Sequence, residues 1–472
     1  MQLLFEYFMV EQYLSEKIRS NLPFLPNQQQ SSLIDGLSAF ISSSEINNIF
    51  LLKGCAGTGK TSVVGALIRT LEQLQQPVIL LAPTGRAAKI LSFYSGRPAY
   101  TIHRYIYREK VVGDPDSSFS MNFNRNRNAV FVVDEASMIA NFSADSNFGS
   151  GHLLDDLLSF VYDGSGCRII FVGDVAQLPP VGEMLSPALN KEFLQRLGFS
   201  VHEAILTDVV RQSQDSGILL NATNMRLLMP DYDGSLPDID VSLPDVKKIC
   251  GSELIEEISS AYSKYGVDDT IIVSRSNKRV NVFNNGVRNS VLYREEELSS
   301  GDVLMVAKNN YFWSQGVDGM DFIANGDMCI ARRVRRVTEV YGFRFADVLL
   351  QFPDYDAEIE CKVLLDCLQS ESPSLSHADS MKLFEAVQAD YMDIGNKRER
   401  FKKMKENKFL NALHVKFGYA VTCHKAQGGQ WSCVFLDKGF VPPEQMNIDF
   451  LRWLYTAFTR ATKQVYLVNW DN

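Results

Sequence analysis

Nowhere in this chain do about eighteen uncharged apolar residues follow one another, so no segment has the make-up of a membrane-crossing helix. The apolar start, Met1 to Val10, is broken by Glu6 and has no basic run ahead of it, which speaks against a secretory signal. Residues 1–20 read instead as an amphipathic helix of the mature protein. The cysteines at 55, 167, 250, 329, 361, 367, 423 and 433 are scattered and form no C-x-x-C pair. That spacing argues against zinc ribbons and iron–sulfur clusters, and it fits free thiols in a reducing cytosol. Internal repeats and long low-complexity tracts are missing too. Positive charge is in the minority, with 47 Lys and Arg against 56 Asp and Glu and a net charge of −9. A surface coated in nucleic acid is thereby excluded, while a local basic groove is not.

What is present is an ordinary globular balance, 46% hydrophobic and 22% charged, over 472 residues, enough for two to four domains. The most informative segment is Gly54-Cys55-Ala56-Gly57-Thr58-Gly59-Lys60-Thr61, which fits the phosphate-loop pattern at every fixed position. The apolar run Ile49–Leu52 predicts a buried strand before it. A helix is expected behind it from Thr61 to Gln75, with Val64, Leu67, Ile68 and Leu71 on one face. Strand, glycine loop and helix start together present backbone N–H groups to phosphate, with Lys60 reaching the β- and γ-phosphates and Thr61 holding Mg²⁺.

Residues 48–206 alternate further strands (Val78–Ala82, Ala129–Val133, Arg168–Val172, Ala204–Leu206) with helical patterns, the signature of a parallel sheet wrapped by helices. The Pro- and Asp-rich stretch 230–245 reads as an exposed linker. A second α/β block follows, with strands Thr270–Ser274, Tyr419–Cys423, Cys433–Leu436 and Val465–Val468. It is interrupted from about 300 to 415. Asp327 to Phe352 reads as short antiparallel strands turning at Tyr341-Gly342, and 376–408 reads as helical. A small hairpin is expected at 105–126, turning at Gly113-Asp114-Pro115-Asp116.

Asp134-Glu135 follows a strand, so one carboxylate can bind Mg²⁺ and the other can orient or deprotonate an attacking water. A kinase would not need that glutamate. Gln177 lies after the next strand and can sense the γ-phosphate or hold the water. Arg211 follows a further strand, and Arg460 stands in the other α/β block, where an arginine finger would have to come from.

The ordered set resembles the superfamily 1 helicases, and among them the RecD-like and phage Dda-like 5′→3′ group. The matching segments are Asn27-Gln28-Gln29, GCAGTGKTS (54–62), APTGRAA (82–88), TIHRY (101–105), VVDEAS (132–137), GDVAQLPPVG (173–182), VVRQ (209–212), VTCHKAQG (421–428) and LYTAFTRA (454–461). The resemblance implies two RecA-like domains, ATP and Mg²⁺, and hydrolysis coupled to 5′→3′ movement on single-stranded DNA. Residues 1–245 would form the first domain, including the 105–126 wedge hairpin and the 230–245 linker. Residues 246–300 and 412–472 would form the second, and 301–411 an inserted SH3-like and helical part.

Carried over by position, Gln29 contacts adenine, and Gly57, Thr58, Gly59, Lys60, Thr61 and Ser62 hold the nucleotide. Thr61 and Asp134 hold Mg²⁺, and Lys60, Glu135, Gln177, Arg211 and Arg460 serve hydrolysis. Thr84, Arg86, Thr101, His103, Thr422, His424 and Lys425 are strand contacts or couplers. Implied partners are single-stranded DNA and its junctions with duplex, with recombination or repair proteins beside a cytoplasmic monomer. Gln430 stands where the family often has Glu, the wedge is short and polar, and 360–410 has no counterpart. Two rivals stay open: an ATPase that remodels protein–nucleic acid complexes without separating strands, and an ATPase subunit of a nuclease complex. No nuclease carboxylate cluster is present, so no cleavage is expected of this chain alone. Two basic clusters stand out, Lys397 to Lys408 and Arg332, Arg333, Arg335 and Arg336. The first reads as a solvated helix face, and strand alternation would split the second between two faces. The four tryptophans read as core or interface.

Overall fold

The computed structural model describes residues 2–109, 119–141, 149–209, 216–317, 320, 322–372 and 374–470. These form two compact units. The first takes the described residues up to Asp233 together with Ile448–Thr456, and the second takes those of Gly234–Asn447 and from Ala457 onward.

In the first unit, α1 (Gln2–Ser20) and α2 (Gln28–Ser42) precede β1 (Asn48–Gly54), which runs into α3 (Lys60–Gln73). Then come β2 (Val78–Ala82), α4 (Gly85–Ser95), β3 (Ala99–Thr101) and α5 (Ile102–Ile106). Strands β4 (Tyr107–Glu109) and β5 (Phe119–Met121) pair antiparallel as the two arms of the expected hairpin, whose Gly113–Asp116 turn lies outside the described residues. The unit continues with β6 (Val130–Val133), α6 (Leu153–Asp163), β7 (Arg168–Gly173), α7 (Lys191–Arg196), β8 (Ser200–Leu206) and α8 (Gly217–Leu228). Six strands make one parallel sheet in the order β3-β2-β6-β7-β1-β8. Ile49, Phe50, Leu51 and Leu52 are all buried, as a central parallel strand covered on both faces requires. β8 is longer than expected because it is an edge strand. His202 and Glu203 break its apolar run, so only its C-terminal end was visible in the sequence.

The second unit opens with β9 (Val246–Ile249), α9 (Leu254–Tyr265), β10 (Thr270–Ser274) and α10 (Asn277–Gly286). β9 escaped the sequence reading because Lys247 and Lys248 occupy its centre and only its ends are buried. Next come β11 (Val303–Val306), β12 (Met328–Val340), β13 (Phe343–Phe352), β14 (Ala357–Leu364), α11 (His377–Ala389), α12 (Lys397–Lys405) and β15 (Leu413–Phe417). β11 to β15 close into a barrel. The chain then forms β16 (Ala420–Thr422), α13 (Cys423–Ala426), β17 (Trp431–Asp437), α14 (Ile448–Phe458) and β18 (Ala461–Val468). The parallel sheet of this unit runs β16-β10-β17-β18-β9. Trp431, Trp453 and Trp470 are buried, and the Trp313 indole N–H donates to the Asn411 carbonyl at 2.8 Å.

Asp302, fully buried, ties the barrel to the sheet of this unit. Its oxygens accept from Arg288 at 3.0 and 3.1 Å, Arg294 at 2.6 Å, the Tyr419 hydroxyl at 2.7 Å and the Ser299 N–H at 2.7 Å. The β12–β13 ribbon turns at Tyr341 and Gly342, both left-handed at φ 57° and 77°, as a two-residue hairpin turn demands. Alternation fails along β12. Its register slips between Ala331 and Arg333 and again between Val334 and Val337, so Arg332, Arg333, Arg335 and Arg336 are all exposed rather than divided between two faces.

Candidate nucleotide and nucleic-acid sites

The loop between β1 and α3 is held open by two left-handed glycines, Gly57 at φ 78° and Gly59 at φ 85°. A Cβ on Gly59 would lie 2.5 Å from the Gln30 amide nitrogen. Gln30 itself is buried and donates to the Thr58 carbonyl at 3.1 Å, and it shares a reciprocal capping box with Asn27. Thr58 is buried and donates to the Cys55 carbonyl at 2.9 Å. The half-buried Lys60 ammonium donates to the Gly54 and Cys55 carbonyls at 2.5 and 2.8 Å. Thr61 is exposed and Ser62 half-buried at the start of α3. Left-handed glycines, a lysine folded over the loop and an open helix start fit a polyphosphate.

Asp134 ends β6, next to β7 in the sheet. It accepts from the Tyr94 hydroxyl at 2.7 Å and from the Glu135 N–H at 2.8 Å. Burial raises its pKa, against the opposing pull of the Tyr94 bond and the Lys60 charge. Glu135 holds φ 51°, a left-handed conformation that costs a non-glycine residue of order 1–3 kcal/mol. After β7, buried Asp174 accepts from the Ala176 N–H at 2.9 Å and from the Tyr455 hydroxyl at 2.6 Å. The same Tyr455 oxygen accepts from the Ala56 N–H at 3.0 Å. One phenol thus bridges the phosphate loop and the Asp174 loop, and burial pushes its pKa well up. Thr456 beside it accepts from the Leu178 N–H at 2.8 Å. Between them Gln177 is buried, and its side-chain oxygen has no hydrogen-bond partner among the described residues. A buried amide oxygen left open fits a water or ligand hydroxyl.

The Gln29 amide is engaged on both sides. It donates to the Thr207 hydroxyl at 2.8 Å and to Asp208 at 3.1 Å, and accepts from both of their N–H groups. Thr84 and Thr101 cap α4 and α5, accepting from the Ala87 and Arg104 N–H groups at 3.2 Å each. Arg86 is half-buried on α4. Burial lowers the His103 pKa to about 4, so the ring is neutral near pH 7. Arg211 lies outside the described residues.

In the second unit, Thr422 precedes α13, and His424 and Lys425 present solvent-accessible side chains whose pKa values the surrounding protein nonetheless lowers. Lys425 donates to the Asn325 side chain at 2.6 Å. That turn is held by Asp327, 5% exposed, which accepts from the Ala324 N–H at 2.8 Å and the Tyr355 hydroxyl at 3.2 Å. Burial pushes the Asp327 pKa up to about 7. Arg460 is buried, with its guanidinium donating to the Gly429 carbonyl and the Thr459 hydroxyl at 3.2 Å each.

Sequence reasoning missed Gln30, Tyr94, Asp174 and Tyr455 as supports of the site. Gln30 had a signal, the Asn-x-x-Gln capping spacing from Asn27. Tyr455 stood inside a segment already singled out, but its partners lie 281 and 399 residues away. Nothing local marks Tyr94. The described residues contain no cluster of three or more His, Cys, Asp or Glu able to hold a metal, and no helix long and apolar enough to cross a membrane.

A glycine phosphate loop ending the β1 strand of a parallel sheet, with carboxylates at a nearby strand end, defines a P-loop nucleotide-binding protein. Residues 27–226 match the AAA domain family, and residues 417–468 match the UvrD-like helicase C-terminal domain family. With these matches and its ordered motifs the chain is similar to the superfamily 1 helicases of the RecD, Dda and Pif1 group. An uncharacterized protein of Acanthamoeba polyphaga mimivirus is 22% identical over 93% of this chain and 99% of its own length. The ATP-dependent RecD2 DNA helicase of Deinococcus radiodurans is 30% identical over 41% of this chain and 23% of its own. The ATP-dependent DNA helicase dda of Enterobacteria phage T4 is 26% identical over 57% of this chain and 58% of its own. Among solved structures, the Pif1 helicase from Candida albicans aligns over 95% of each chain, with a TM-score of 0.44 and 16% identity.

Proposed function

We propose that this protein hydrolyses ATP to move 5′→3′ along single-stranded DNA and to unwind duplex ahead of it. The observation that carries the reading is the phosphate loop with Lys60 beside the Asp134–Glu135 strand end, in a chain whose relatives include proteins named as ATP-dependent DNA helicases. The loop glycines and Lys60 bind the β- and γ-phosphates, and Thr61 and Asp134 hold Mg²⁺, which would neutralise phosphate charge. Glu135 takes the proton of the attacking water, and Gln177 turns its open side-chain oxygen to that water or to the γ-phosphate. Arg211 and Arg460 are assigned, from their motifs alone, to stabilise charge on the transferred phosphoryl group. Gln29 reaches adenine only by exchanging its bonds to Thr207 and Asp208. Thr84, Arg86, Thr101, His103, Thr422, His424 and Lys425 are the proposed strand contacts and couplers.

The deciding experiment measures ATP turnover with and without single-stranded DNA, then unwinding of duplexes bearing a 5′ or a 3′ overhang. Stimulated turnover with opening of the 5′-tailed duplex alone is expected. Stimulated turnover with neither duplex opened would replace this reading by a remodelling ATPase. That alternative is favoured by the short, polar sequence of the 105–126 segment.

A further inference from the structure

The insertion carries more acid than base, yet its bases are segregated. Residues 301–411 hold 15 Lys or Arg and 18 Asp or Glu, and eleven of those bases but only two of the acids fall within 332–336 and 397–408. On β12 the two register slips place four arginines in solvent along one strand. Arg335 pairs with Glu360 at 2.6 Å, whereas Arg332, Arg333 and Arg336 form no ion pair among the described residues. On α12 and just after it, exposed Lys397, Arg398, Lys402, Lys403 and Lys408 likewise have no carboxylate partner there. The two sets belong to one substructure. Val340, Tyr341, Phe343 and Phe345, at the ribbon tip, share an apolar cluster with Leu383 and Val387 of α11, and α12 leans on α11 through Phe401 and Phe384.

Bulges are designed features that re-aim side chains, and here they undo an alternation that would have turned some of the arginines inward. Exposed cations without carboxylate partners, gathered in a chain of net charge −9, make a local basic patch that a polyanion would complement. We propose that β12 and α12 form a phosphate-binding face for the backbone of a DNA duplex. A single strand is the poorer match. Its binding sites combine cations with aromatic platforms, and β12 has no aromatic residue while Phe401 of α12 is spent on Phe384. A face that reads phosphates alone gains most from the highest charge density, one charge per about 1.7 Å in duplex against about 3.4 Å along one strand. Arg332 and Arg336 stand at most about 13 Å apart on an extended strand, comparable with a major groove about 12 Å wide. The role proposed for this face, holding the duplex arm while the motor works on the single strand, rests on the helicase reading; the binding itself does not.

The test uses the whole protein. Binding of a blunt labelled duplex and of a single strand of the same length is titrated by fluorescence anisotropy from about 50 to 200 mM salt. It compares the unchanged protein with R332Q/R333Q/R336Q and with K397Q/R398Q/K402Q/K403Q. Losing three phosphate contacts should flatten the duplex salt slope by about 2.7, at about 0.9 per contact. Single-strand binding and single-strand-stimulated ATP turnover should stay unchanged, and R332K/R333K/R336K should keep the slope. An unchanged duplex slope in both glutamine sets, with the thermal midpoint preserved, would leave these cations as a solvated face and overturn the proposal. An equal loss for the single strand would overturn it in favour of a single-strand track. Absence of stimulated ATP turnover in the unchanged protein would sink the helicase reading and leave the duplex measurement standing.

Discussion

Tyr455 concentrates the residue-scale argument. Its hydroxyl satisfies a loop N–H on one side and one oxygen of a buried carboxylate on the other, so Tyr455→Phe leaves the Ala56 N–H and that Asp174 oxygen without this partner. A buried group stripped of its partner costs about 1–3 kcal/mol. The expected outcome is a loss of that size in urea unfolding, together with slower ATP turnover. Arg460→Lys keeps the charge but not the fork, and should lower turnover by about 10³–10⁵ while nucleotide affinity, read by fluorescent-nucleotide titration, holds. Asp327 gives a pH signature. Its carboxyl keeps a proton up to about pH 7 in the fold, against 3.8 ordinarily. Its contribution to stability is therefore complete below about pH 4 and is lost as pH rises to about 7. His103 and His414, both lowered to about 4 by burial, act oppositely, losing stability as pH falls from 6.5. Urea midpoints of Asp327→Asn and the unchanged protein, taken from pH 4 to 8, should therefore diverge across that window. Parallel curves would refute the Asp327 assignment.

Elements were legible where their signal was local. Val78–Ala82 and Thr270–Ser274 stand at the bounds their apolar runs predict, and the phosphate loop falls between the strand and helix expected of it. Elements that depend on distant partners were not. The edge strand β8 and the lysine-centred β9 are stabilised by neighbours in the sheet rather than by an apolar run. The barrel needed β11 and β15, which pair across more than a hundred residues. The slips in β12 came from the ladder, not from any glycine or proline in Met328–Val340. The site divided the same way. Lys60, Asp134 and Glu135 were readable from spacing, and the Tyr94 and Tyr455 phenols that hold their surroundings were not. Asp302 makes the matching prediction for the second unit. Asp302→Ala strands the buried Arg288 and should cost about 3–5 kcal/mol in urea unfolding.

At the scale of the whole molecule, the first unit is not continuous in sequence, since Ile448–Thr456 returns to it after the chain has built the second. A fragment ending at Asp233 therefore lacks the partners of Asp174, Leu178 and Ala56. It should unfold at a lower temperature than the first transition of the full chain, and an equal midpoint would show that the returning helix is dispensable. The same discontinuity sets a clock during synthesis. Ribosomes add about 5–20 residues per second, so roughly 11–45 s separate the emergence of Asp233 from that of Thr456. Through that interval the nascent first unit carries Asp174 without its phenol and Leu178 without its acceptor. The first unit can therefore complete its packing only after nearly all of the second has been synthesised.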